Sequence, residues 1–177
     1  MSAHDVITAA LIAGSAPLVG IGRRIAGGLF GDLFGWILGD TPVRAFFAAT
    51  GAAALLAGGA VWWMAAIGAV SVFAGATSGN FGAAAMGHGR TGFWHDFAWL
   101  IPHGLAHAAL LAAAMAVAGH GVWWLPLAGG ALISPCYVLG WSLPASWNWR
   151  GLGVGMPASE LIWGTAFGLS LALSGLA

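Results

Sequence analysis

Two imidazoles four residues apart, His103 and His107, are the sharpest chemical signal in the chain. On a helix that spacing places both rings on one face, where they can share a metal ion or pass a proton. Glu160 opens the last apolar stretch, and His88, Arg90, His95 and Asp96 crowd the segment before His103. The candidate polar cluster is therefore His103, His107, Glu160, His88, His95 and Asp96, with His103, His107 and Glu160 as the candidate metal ligands. A bland reading stands beside each. Histidine also serves as a hydrogen-bonding group between packed helices. Glu160 follows Pro157 and Ser159, the setting in which a carboxylate meets the open N–H groups of a helix start. The histidines before the fourth apolar run also suit a solvated loop. Neither a metalloprotease spacing nor a glycine-rich phosphate loop is present, so no catalytic residue is assigned. The pattern leaves the cofactor unknown, with a metal ion as the candidate it suggests.

The elements that must position these groups are apolar. Of 177 residues, 60% are hydrophobic and 6% charged, with a mean hydropathy of +0.90. Soluble domains carry roughly a quarter charged residues, and so sparse a set would leave large apolar patches facing water. Lipid is the expected solvent. The chain has no lysine, and its five arginines, Arg23, Arg24, Arg44, Arg90 and Arg150, are matched by five acidic residues. No basic patch suited to nucleic acid results. Cys136, the single cysteine, lies in an apolar run and is expected as a free buried thiol. The first apolar run follows His4 and Asp5 rather than a positive segment, so it is expected as a retained helix, not a cleaved signal.

A membrane-crossing helix needs about 20 apolar residues, fewer in a thinned bilayer. Six stretches qualify: Val6 to Gly20, Ala45 to Gly58, Val61 to Ser78, Phe97 to Ala118, Val122 to Trp141 and Ala158 to Leu176. The expected fold is thus all-α, a single polytopic transmembrane domain of six spans. The division of the longest uncharged runs falls at Gly58-Gly59 and Gly119-His120-Gly121, where tight turns are favoured. All five arginines then fall on one side, which the positive-inside rule makes cytoplasmic, with both termini extracytoplasmic. Trp62-Trp63 and Trp123-Trp124 follow the two turns, as interfacial tryptophans do.

Between the first two spans, Gly27, Gly31, Gly35 and Gly39 recur every four residues among apolar positions. Residues 24–39 are expected as an amphipathic helix, lying in the interface or re-entering the membrane, whose glycine row admits a close neighbour. A second periodicity links Ala57-Gly58-Gly59-Ala60-Val61-Trp62-Trp63-Met64 to Ala118-Gly119-His120-Gly121-Val122-Trp123-Trp124-Leu125, at an offset of 61. Pro42 and Pro102, like Arg90 and Arg150, are offset by 60. Either a duplicated helical hairpin or a chance match around tryptophan pairs accounts for this; parallel repeats are a device of transporters.

The stretch Gly22-Arg23-Arg24-Ile25-Ala26-Gly27-Gly28 through Gly39-Asp40-Thr41-Pro42-Val43-Arg44 resembles small, uncharacterised polytopic membrane proteins of phages and prophages of GC-rich bacteria. The resemblance covers less than a quarter of the chain, implies a phage context and supplies no site residue. The sequence therefore points first to a small transport- or channel-type protein of a bacterial inner membrane, partnered by lipid and assembled as a homo-oligomer or within a larger membrane complex. A membrane-embedded enzyme using His103, His107 and Glu160, and an accessory subunit without a site, are the alternatives.

Overall fold

The computed structural model describes residues 1–15, 32–85, 93–142 and 157–175. Every regular element among them is an α-helix: α1 (Ala3–Gly14), α2 (Asp32–Ala57), α3 (Trp62–Ala85), α4 (Phe93–Ala106), α5 (Ala109–Val117), α6 (Leu125–Ala131), α7 (Ile133–Ser142) and α8 (Pro157–Ser174). The all-α class expected from the sequence is what the chain forms. Among the described residues no single helix is long and apolar enough to cross a membrane; one bent pair, Leu100–Ala106 with Ala109–Val117, meets that test by length and composition.

Helix α1 starts on a capping box. The Ser2 hydroxyl accepts from the Asp5 N–H while the Asp5 carboxylate accepts from the Ser2 N–H. The bond from the Ser2 N–H favours the ionised acid, so the Asp5 carboxyl is held below the ordinary carboxylate value, with the neighbouring His4 adding to the effect.

The two expected turns are present, and they share one geometry. Helix α2 closes with Gly59 at φ +91°, with bonds from Gly59 N–H to the Leu56 carbonyl and from Ala60 N–H to the Leu55 carbonyl. Helix α5 closes with Gly119 at φ +79°, with Gly119 N–H on Ala116 and His120 N–H on Met115. Both are Schellman caps, in which a glycine takes the left-handed conformation that other residues resist. The caps superpose at an offset of 60, the offset of the proline and arginine pairs. The tryptophan pairs are offset by 61 because the second turn holds one more residue before Val122.

Packing runs through small residues. Helices α1 and α8 cross where a Cβ on Gly164 or Gly168 would meet Ala13, and one on Gly14 would meet Thr165. This is the small-xxx-small arrangement that lets backbones approach. Helix α2 lies parallel to α8, with Phe47 beside Trp163 and Gly58 against the Ala172 carbonyl. Helix α3 runs back beside α2, Gly68 against Leu55 and Gly51 against Val72, and its other flank meets α4 and α5. Met64, Val72, Leu55, Leu111, Met115, Phe167 and Leu171 fill the space between them. The start of α1, the end of α8 and both Schellman caps consequently lie at one end of the bundle.

Two element boundaries differ from those expected. Residues 32–39, assigned to a separate amphipathic helix, are continuous with residues 45–57 in α2, which runs through position 42. Gly35 and Gly39 are therefore on α2; Gly27 and Gly31 lie outside the described residues, and with them the question of a glycine row. The stretch Phe97 to Ala118, expected as one helix, is broken after Ala106 and bends by 51°.

Candidate functional site

The break between α4 and α5 carries His107. At the end of α4 the chain tightens, with His107 N–H bonding the Gly104 carbonyl and Ala108 N–H the Leu105 carbonyl, both three residues back. A new helix start leaves unpaired N–H groups, and one of them, on Leu110, donates to the Ser71 hydroxyl of α3 at 3.2 Å. One turn on from Ser71, Gly75 gives the break its room, because a Cβ there would come within 2.5 Å of the His107 backbone. The neighbouring helix both makes space for the break and satisfies it. On the other side, Gly104 and Gly130 bring α4 and α6 into direct backbone contact.

The His107 side chain is 3% exposed. Its Nδ1 lies 2.9 Å from the His103 carbonyl oxygen. A carbonyl can only accept, so Nδ1 carries the hydrogen and Nε2 is left as the basic nitrogen of the neutral ring. Four rings surround it: His103 at 4.8 Å between centroids, Trp163 at 5.2 Å, Phe47 at 5.9 Å and Phe167 at 6.3 Å, all inclined edge to face. Trp163 stacks on Phe167 at 5.4 Å, and its indole N–H donates to the Gly129 and Gly130 carbonyls of α6. Pro135, which has no N–H, leaves the Ala131 carbonyl without its helical donor at the one-residue interruption between α6 and α7.

His103 and His107 are thus brought together as the four-residue spacing predicted. Glu160 lies in the first turn of α8, on the face of Trp163 and Phe167 but one turn nearer the helix start. His103, His107 and Glu160 do not assemble as metal ligands: among the described residues no group of three or more His, Cys, Asp or Glu side chains is placed to hold an ion. The physical reason is visible at His107, whose Nδ1 is turned onto its own helix and whose ring is walled by aromatic side chains. His95 and Asp96 lie on the first turn of α4, where the backbone alone is described, and His88 falls outside the described residues. Cys136 is a buried free thiol, as expected.

Sequence reasoning missed Ser71, Gly75, Phe47, Trp163 and Phe167. Ser71 and Gly75 carried a signal, since with Gly68 they form a row of small residues along α3. The three aromatic residues carried none, being indistinguishable in sequence from core or lipid-facing side chains. Comparison with known family models, curated proteins and solved structures finds no match to this chain.

Proposed function

We propose that the chain is a polytopic membrane protein of transport type, with its functional centre at the α4–α5 break. The observation that carries this reading is the break itself: an apolar helix pair interrupted mid-course by a buried, protonatable side chain. Discontinuous helices at mid-depth are how transporters build their sites, and irregular backbone within a membrane occurs where protein or a cavity surrounds it.

The distribution of polarity supports a lipid surround. Leu11, Val70, Leu110, Val117 and Leu139 are exposed on the helix surfaces, whereas Thr50, Ser71, His107, Ser134, Ser170 and Ser174 are buried. A water-soluble bundle places these classes the other way round. The repeated Schellman caps support a pair of like-oriented hairpins, of which only the second carries the break. The arginine distribution supports a cytoplasmic face at the end where α4 begins, the phage resemblance adds a setting, and self-assembly into an oligomer fits the short, Gly/Ala-rich helices.

The test has two readouts. Resistance to alkaline carbonate extraction and flotation with liposomes report membrane integration, and flux assays on the same vesicles against ions, protons included, and small neutral solutes report transport. Permeation of at least one species above protein-free vesicles is expected. Floated vesicles tight to all of them would turn the reading to an accessory subunit.

A further inference from the structure

We infer that the transported or coupling species is the proton and that His107 is its binding residue, an inference that rests on the transport reading above. In the neutral state Nδ1–H is donated to the His103 carbonyl, so an incoming proton binds the lone pair of Nε2. The ring becomes an imidazolium without breaking that hydrogen bond, no electron is transferred, and loss of the same proton restores the starting state.

The enclosure keeps the resting ring neutral, because burial opposes a charged imidazolium. Trp163, Phe47 and Phe167 surround the ring at 5.2, 5.9 and 6.3 Å, all inclined edge to face. They also shut out water, so the charge is confined to a defined site rather than dispersed along an open pore. His103 supplies the neighbouring relay group. Its ring is half-buried, with its centroid 4.8 Å from that of His107, and it lies one turn nearer the end opposite the Schellman caps, which makes it the adjacent imidazole on that side. Toward the other end lie the buried hydroxyls of Thr50 and Ser170, one turn on from Phe47 and Phe167, each donating to its own helix at the Phe47 and Phe167 carbonyls. Their oxygens keep lone pairs for a proton or a water chain.

The other groups able to carry charge on the elements around His107 are few. Arg44 precedes Phe47 by one turn on α2, Glu160 precedes Trp163 by one turn on α8, and His95 and Asp96 lie at the far end of α4. Helices α3, α5 and α6 contribute none. Next to the aromatic enclosure the charged groups thus sit on the His103 side and hydroxyls on the other, with His4, Asp5 and His120 farther out at the pole of the Schellman caps. A proton entering from the Arg44–Glu160 level meets His103 first and His107 second.

The experiment uses the full chain in liposomes with a lumenal pH dye and a valinomycin potassium potential, negative inside. Wild-type vesicles are expected to acidify at least tenfold faster than protein-free ones, and His107→Phe is expected to reduce the rate to the protein-free level. His103→Gln is expected to slow it severalfold. If His107→Phe fails to float, His107→Asn decides, because its amide can keep the bond to the His103 carbonyl and takes no proton; the same loss of flux is expected. Undiminished acidification in whichever of these variants floats, or no acidification by floated wild-type protein that conducts another solute, would overturn the inference while leaving the transport reading standing. Release of the protein by carbonate would instead remove the membrane reading itself.

Discussion

Trp163 does two jobs with one side chain, closing the ring cluster over His107 and capping the two α6 carbonyls at Gly129 and Gly130. The jobs are separable. Trp163→Phe keeps a ring beside His107 and deletes the indole N–H, leaving both buried carbonyls short of a donor; the expected loss is about 1 kcal/mol, as for a typical intramolecular hydrogen bond. Denaturant titration in mixed micelles reads it, and unchanged stability would show that these bonds are replaced at no cost. Ser2 offers a second residue-scale test. The Asp5 carboxyl is depressed by its bond from the Ser2 N–H, so the cap is intact above the unfolded carboxylate value and is lost as pH falls through the lower folded one. Hydrogen exchange at the first turn of α1 should accelerate only at the acid end of that range, and in Asp5→Asn, which keeps an acceptor for the Ser2 N–H but cannot titrate, this pH step should vanish. The aromatic walls of the candidate site were not legible in the sequence, because identity alone does not say which of nine phenylalanines and eleven tryptophans turns inward. His103 and His107 were legible for the opposite reason: ionisable groups in an apolar run are few, and their spacing fixes their relation.

At the scale of elements, glycines decide where helices touch, and their effects should be sharply unequal. A Cβ on Gly130 meets the Gly104 carbonyl, so Gly130→Ala must push α6 from α4 and is expected to cost about 1–3 kcal/mol. Gly121 has nothing within 4 Å, and Gly121→Ala should be neutral. Gly119 is equally uncrowded but sits at φ +79°, so alanine there should cost about 1–2 kcal/mol through backbone strain alone. Thermal unfolding of the three variants separates crowding from conformation; equal midpoints would mean the turn and the helix contact are both pliable. The same distinction explains what could be read from the sequence at this scale. Turns at Gly59 and Gly119 were legible because a left-handed residue ending an apolar run has a local cause. The break at His107 was not, because its cause is tertiary: Gly75 vacates the space and Ser71 takes the freed Leu110 N–H, both from another helix. Pro102, the nearest sequence signal, lies within α4 rather than at its end. Conversely, α2 runs through Pro42 without ending, since one missing backbone bond is survivable when neighbouring helices support the flanks.

At the scale of the whole molecule, connectivity and packing together fix which ends coincide, and this makes a prediction independent of any function. Helix α1 runs opposite to α8, because Gly14 lies by Thr165 and Ala9 by Gly168. Helix α2 runs with α8 and ends beside Gly175, while α3 runs back from that end with Gly68 by Leu111 and Gly75 by His107. The N-terminal cap at Ser2, the turns at Gly59 and Gly119 and the end of α8 therefore share one pole. Positions 90 and 150 follow the helices that lead away from it, and the arginines found there are the residues a cytoplasmic face retains. In a membrane, cysteines placed singly at 2, 60 and 120 in a Cys136→Ser background should all react with an impermeant maleimide added outside intact cells, and cysteines at 90 and 150 only after permeabilisation. Trp62, 78% exposed beside the first turn, should report the same pole as interfacial, so Trp62→Phe should remove emission quenched by lipids brominated near the headgroup rather than at the chain ends. Labelling of positions 2 and 60 from opposite sides would break the antiparallel pairing of α1 with α8 and the parallel pairing of α2 with α8, and with it the packing that holds Phe47, Trp163 and Phe167 around His107. Labelling of all five positions from outside would preserve that packing and instead place the bundle on a membrane surface, where a bend in α4–α5 has no two compartments to connect.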